Sequence, residues 1–278
     1  MSQYSSVEEL EFFDANCMIG RPCHPSSGGA GILLNKNQLL EEMKYYGIKE
    51  TLVYHAMAKE YDARIGNNIL LEGIKEEDSL HGCWAVLPPY TDEMPAPEQL
   101  VQEMFQKGVK AVRLFPNHYE NPLIPEWSQH QRFYLSEWSM GTLFSVFEEH
   151  KIPVFLDFDT SEPYNDRTDW DKVYDICKNH SDVPIVLARF GWRVNRSLYA
   201  LLAQCDNFYC ELSGTWLYRI VESIAKKFGA ERILFGSNMP FTTPAVNLMM
   251  ITHAEISEED KKLIAGDNLR RLLNNVKI

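Results

Sequence analysis

The chain has 278 residues, of which 45% are hydrophobic and 24% charged, with a formal net charge of −12. That length buries a large core and suits one α/β barrel, which runs to about 250 residues. The acidic balance argues against non-specific nucleic-acid binding, which needs a basic surface. No apolar run approaches the ~18 residues that cross a bilayer.

Short β-branched and aromatic runs alternate with longer amphipathic segments along the chain. Strands are predicted at 10–16, 50–55, 81–87, 109–115, 153–158, 184–189, 208–213 and 232–237. Helices are predicted at 36–46, 98–107, 171–179, 194–204, 217–228 and 257–274. The last opens on Ser257 with Asp260 three residues on, a cap-like start. Strand and helix repeated in this way predict parallel pairing and a single (β/α)8 (TIM) barrel, α/β in class, over residues 1–278. An open doubly wound sheet would need a glycine fingerprint in its first strand–helix turn. The glycine cluster Gly28-Gly29-Ala30-Gly31 lies well past strand one, lacks that spacing, and reads as a rim loop. Two long insertions, 116–140 and 159–170, follow strands four and five. They leave the strand ends where barrels bind ligands and are expected to roof the mouth.

The six cysteines, Cys17, Cys23, Cys83, Cys177, Cys205 and Cys210, include no C-x-x-C pair and read as reduced thiols. The first residues lack a basic and an apolar signal region, so the cytoplasm is the expected location. A homodimer is the default assembly.

Several stretches carry a resemblance. The first strand reads Phe12-Phe13-Asp14-Ala15-Asn16-Cys17-Met18-Ile19-Gly20, and the last Ile233-Leu234-Phe235-Gly236-Ser237-Asn238-Met239-Pro240. Between them stand Val109-Lys110-Ala111-Val112-Arg113-Leu114-Phe115, Pro153-Val154-Phe155-Leu156-Asp157, Ile185-Val186-Leu187-Ala188-Arg189 and Tyr209-Cys210-Glu211-Leu212-Ser213. The closing helix contains Gly266-Asp267-Asn268-Leu269-Arg270-Arg271. In this order they resemble the amidohydrolase-related, metal-dependent hydrolase barrels, a likeness running from Phe12 to Leu273. The resemblance implies a His-x-His pair on strand one, a His on strands five and six, and an Asp on strand eight, together holding a metal. Here those places are Asn16, Met18, Asp157, Arg189 and Asn238.

Zinc takes His, Cys and carboxylate ligands. Two amide oxygens and a thioether are poor substitutes, and a guanidinium repels a dication. No metal and no other cofactor are expected at these positions. An ion pair between Asp157 and Arg189, on neighbouring strands, is expected instead. Alternation places Asp14, Asn16 and Met18 on one face, as it does Asp157 and Asp159, and the resemblance points both sets inward with Arg113 and Glu211. Cys17 then faces the helices.

His55 ends strand two and His118 follows strand four, where a general acid or base would work. His24 and His130 fall in rim loops, while His150, His180 and His253 fall near helix or loop ends. Trp192 and Trp216 stand where an aromatic could wall a small pocket. Ser237 lacks a G-x-S-x-G elbow.

Three functions fit these residues. The first is a metal-independent hydrolase of a small carboxylate-bearing lactone or amide. In it Arg113 or Arg189 binds the anion, Asp157 assists water, His55 or His118 moves a proton, and Asn16, Asn238, Asp159 and Trp192 line the substrate site. The second is a barrel that binds a small ligand without turnover. The third is a hydrolase or decarboxylase whose metal, magnesium or manganese, has moved to Asp14, Asp157, Asp159 or Glu211.

Overall fold

A computed structural model describes residues 5–22, 34–117, 133–158, 168–191 and 193–278. Eight parallel strands run in the order β1 to β8: Phe13–Ile19, Glu50–His55, Leu80–Ala85, Ala111–Leu114, Val154–Asp157, Ile185–Ala188, Phe208–Glu211 and Ile233–Leu234. Each pairs with the next in parallel, and the sheet curls until its ends meet. The seam between β8 and β1 is closed by residues at and beyond the end of β8. Ala15 N donates to Phe235 O at 3.0 Å, Met18 N donates to Met239 O at 2.8 Å, and Cys17 bridges Met239. The fold is a (β/α)8 barrel, as predicted. The strands are short and rich in Val, Ile, Leu and Phe because both of their faces are covered.

The outer ring of helices begins with α1 (Lys36–Tyr46). It starts on a capping box, Asn35 with Gln38, and ends at Gly47, whose φ of 73° favours a residue without a Cβ. α2 (Ala56–Glu60) and α3 (Ala63–Ile74) follow β2, and α4 (Pro97–Gln106) follows β3. α5 (Glu137–His150) buries Met140, Leu143, Phe144 and Phe147. α6 (Trp170–Asn179), α7 (Asn195–Gln204) and α8 (Ile220–Phe228) bury one apolar stripe each, and α9 (Pro244–Thr252) follows β8.

Four of these depart from expectation. No helix was predicted over α2, α3 or α9, and α5 begins inside the expected 116–140 loop. The closing helix is also broken. Ser257 caps α10 (Glu258–Lys262), taking the Asp260 N–H at 3.0 Å as expected. A π-turn over Leu263–Asp267 then separates it from α11 (Asn268–Asn274). In this wider turn the Ile264 carbonyl accepts from Phe235 N at 3.0 Å, so the turn ties the last helix to β8. Asn268 Nδ2 completes the join by donating to Ala230 O and Ile233 O, each at 2.9 Å. Among the described residues no helix is long and apolar enough to cross a membrane.

Candidate functional site

The C-terminal ends of β4, β5 and β6 bring Arg113, Asp157 and Arg189 together, with side chains 1%, 0% and 9% exposed. Arg189 lies two-pronged on Asp157. Its Nη2 is 2.5 Å from Oδ1, and its Nε is 3.1 and 3.2 Å from Oδ1 and Oδ2. Arg113 Nη1 reaches Asp157 Oδ2 at 3.2 Å from the other side. The carboxylate therefore sits between two guanidiniums, the arrangement that makes a buried charge tolerable. Arg113 is held further by Asn16 Oδ1 at 2.7 Å and Ala15 O at 3.1 Å. Its guanidinium carbon lies 4.6 Å from the Tyr54 ring and 5.5 Å from that of Phe155.

Arg189 is held at a φ of 51°, left-handed backbone that costs a residue with a Cβ about 1–2 kcal/mol. Gly214, itself at φ 77°, leaves the room against its Cα and Cβ. The turn after β6 thus aims the guanidinium across the mouth at the expense of local strain. Asn238 beyond β8 has φ 58°, and its carbonyl accepts from Phe241 N at 2.9 Å to form a turn.

A second cluster adjoins the first. Asn16 Nδ2 donates to Glu211 Oε2 at 3.2 Å and to Ser213 Oγ at 2.8 Å. Glu211 also takes the Ser213 hydroxyl at 2.7 Å and the Ser213 N–H at 2.5 Å. Its Oε1 lies where a Cβ on Gly236 would stand, 1.8 Å away. Asp14 accepts from Asn16 N and Ser237 N, each at 2.9 Å, and from the Ser237 hydroxyl. Burial pushes its carboxyl up to about 7, against the pull of those donors. Burial also pushes Glu211 upward. The strict alternation expected along β1 is broken by a register shift between Asp14 and Cys17. Asp14 and Asn16 consequently do not act as one row: Asp14 turns to Ser237, and Asn16 to Arg113.

His55 stands at the end of β2 as the N-cap of α2, its Nδ1 accepting the Met57 N–H at 3.0 Å. Burial lowers its pKa. A neutral ring whose Nδ1 accepts carries its proton on Nε2, so that nitrogen is a donor. Gly20 packs against this ring, where a Cβ would come within 2.6 Å of Nε2. His118, Asp159 and Trp192 lie outside the described residues.

Ser213 and Lys59 carry no expectation from the sequence, and Ser237 enters it only as a nucleophile without its elbow. Ser213 and Ser237 hold the two acids, and Lys59 is buried on α2 with Nζ 5.2 Å from the Phe115 ring. A serine two residues after a strand-end carboxylate was the visible signal for Ser213. Ser237 is 223 residues from its partner, and nothing local announces that contact.

A family model described as amidohydrolase matches residues 42–274. The chain belongs to the amidohydrolase family. The matched stretch begins within α1, beyond the strand that holds Asn16 and Met18. Three solved decarboxylases share this amidohydrolase barrel. The 2,6-dihydroxybenzoate decarboxylase from Rhizobium is 17% identical, with 95% of this chain and 99% of that chain covered and a TM-score of 0.68. The 5-carboxyvanillate decarboxylase from Sphingomonas paucimobilis is 14% identical, with 96% and 100% covered and a TM-score of 0.68. A dihydroxybenzoic acid decarboxylase from Polaromonas sp. JS666, solved with manganese and 2-nitroresorcinol, is 15% identical, with 95% and 97% covered and a TM-score of 0.66. At such identities the likeness shows the fold. No curated protein matches the chain.

The family resemblance implies a metal, and the residues present do not fit one. Arg189 places a cation, bonded to Asp157, where an ion would bind, and Asn16, Met18 and Asn238 supply no anionic ligand. Nor do Asp14, Glu211 and Asp157, the described acids of the mouth, form a ligand set. Asp14 is engaged by Ser237, Glu211 by Ser213 and Asn16, and Asp157 by the two arginines. Among the described residues no three His, Cys, Asp or Glu side chains gather as a metal-binding set.

Proposed function

We propose that this amidohydrolase-family barrel works without a divalent metal on a small carboxylate-bearing molecule, with hydrolysis of a lactone or amide bond as its reaction. The observation that carries this reading is the bidentate Arg189–Asp157 pair at the site where the family resemblance implies an ion. Arg189 supplies fixed positive charge at the mouth, suited to a substrate carboxylate or to the oxyanion that forms when water attacks a carbonyl. His55 serves as a donor through Nε2, toward a carbonyl or a leaving oxygen. Asp157 holds the two arginines in place and does not activate water, because both its oxygens are taken by guanidinium donors. His118 and Asp159 are the remaining candidates for accepting the water's proton. The decarboxylases of like fold act, by their names, on aromatic acids, which supports a small acid as the ligand class. The described cysteines are all free, which suits the reducing cytoplasm.

A second reading, binding without turnover, is favoured by the same saturation of Asp157. One experiment separates the two. A panel of lactones, amides and aromatic acids is assayed with chelator present, and thermal stabilisation by each compound is recorded alongside. Chelator-proof hydrolysis that falls at least tenfold in Arg189→Lys supports catalysis. Stabilisation by small acids with no turnover supports binding alone. Activity restored only by added manganese or zinc would overturn both.

A further inference from the structure

Behind β3, on the outer wall, a recess of about 260 Å³, counted to its open rim, lies between α3 and α4. Trp84 of β3 lines it. The pairing of β3 with β4 sets the direction of that side chain. Ala85 stands opposite Arg113, which faces into the barrel, and Trp84 stands opposite Val112, so Trp84 faces the helices. The recess and the mouth therefore lie on opposite faces of the sheet. Asn67 of α3 fixes the wall beside Trp84. Its Nδ2 donates to Ala85 O at 2.8 Å, and its Oδ1 accepts from Ala85 N at 3.0 Å.

Trp84 is 4% exposed, and its indole N–H has no acceptor among the described residues. Buried donors are nearly always bonded, as the amide of Asn67 is at both ends. The other polar groups of the recess are mostly donors too. Lys107, which follows α4, gives its ammonium to Asn68 Oδ1 at 2.8 Å, and this leaves the Asn68 amide nitrogen to donate. That ammonium lies 5.4 Å from the centre of the Trp84 ring, and Arg64 adds a guanidinium. Against them stands one carboxylate, Glu103, whose Oε1 accepts from Gln99 Nε2 at 2.9 Å. Met94, Pro95 and Leu100 supply an apolar wall. An occupant that completes this set has acceptor oxygens and negative charge at one end and an apolar body at the other. A carboxylate has both. Inorganic phosphate lacks the apolar part, and a metal cation meets donors where it needs acceptors. The recess falls below the ~300 Å³ at which pockets for drug-sized ligands begin, so the molecule is small.

We propose that this recess binds a small monocarboxylate with a short apolar body, at a site separate from the barrel mouth. The Trp84 N–H donates to one carboxylate oxygen, Arg64 holds the charge, and the apolar body rests on Met94, Pro95 and Leu100.

The chain has six tryptophans, so NMR of the intact protein with labelled indole nitrogens follows six N–H signals, and Trp84→Phe identifies its own by loss. Butyrate and benzoate are titrated in turn, with sodium chloride and inorganic phosphate as the comparison. The expected result is a Trp84 signal that moves downfield and saturates with the carboxylates but stays in place with the two salts. Arg64→Gln, on an exposed side chain, should raise Kd about tenfold. Arg189→Lys, at the mouth, should leave the Trp84 titration unchanged. The proposal is overturned by a Trp84 signal that does not respond, that responds equally to chloride or phosphate, or that loses its response in Arg189→Lys. Calorimetry of Arg64→Gln decides the matter even if Trp84→Phe fails to fold, since an unchanged Kd there also overturns it.

Discussion

On the β4–β6 side of the mouth Asp157 accepts from two guanidiniums, whereas on the β7–β1 side Asp14 and Glu211 accept from serine hydroxyls and backbone N–H groups. The difference shows what each kind of partner can do. A guanidinium brings full charge, so a carboxylate stays buried as an ion. A hydroxyl brings a dipole, which does not offset the loss of water, and both acids on that side are pushed upward by burial. Asn16 joins the two halves with its amide set accordingly, oxygen toward Arg113 and nitrogen toward Glu211 and Ser213.

The contrast breaks most severely at Asp157. Asp157→Ala leaves two buried guanidiniums side by side, and the expected loss of stability is about 3–5 kcal/mol, read from urea unfolding. Arg189→Ala costs less than that, because Arg113 remains 3.2 Å from the carboxylate. If neither substitution moves the midpoint, the charge-pair account is wrong.

The serine-held side responds to pH instead. The folded Asp14 binds its proton more tightly than the unfolded chain does, about 7 against an ordinary 3.8. Its stabilising contribution is complete below pH 4 and is lost as pH rises toward 7, a decline on the order of a few kcal/mol. The stability difference between wild type and Asp14→Asn, measured from pH 4 to 8, should therefore change across that window and be flat above it.

Gly236→Ala drives a methyl group into Glu211 Oε1 and should cost about 1–3 kcal/mol. The matching Gly73→Ala, where a Cβ meets nothing within 4 Å, should be neutral or slightly stabilising. His55→Ala removes the cap of α2 and should cost about 1 kcal/mol. His55→Asn, which keeps a cap acceptor, should recover most of it.

The sequence carried the barrel well because each strand is a local apolar run bounded by turns, and β2 and α1 begin and end where the pattern says they do. The Asp157–Arg189 pair was also legible, since Asp157 closes β5 and Arg189 directly follows β6, adjacent strands whose order follows chain order. What escaped depends on distance or on local irregularity. The Asp14–Ser237 contact spans 223 residues, and the shift inside β1 defeats the alternation that placed Asp14 with Asn16. The short α2 and the nearly all-apolar α9 lack the one-sided stripe that marks a surface helix, so periodicity could not announce them.

β8 contributes only Ile233 and Leu234 to its pairing with β7, and past them the hoop is fastened by the single bonds from Ala15 and Met18. A ring opens first where its fastening is thinnest. Amide hydrogens at Ala15 and Met18 should therefore exchange with solvent sooner than those of β5 or β6, both enclosed by longer ladders. Because Asp14 and Ser237 lie on that same join, a proton arriving at Asp14 acts as a latch on the whole cylinder.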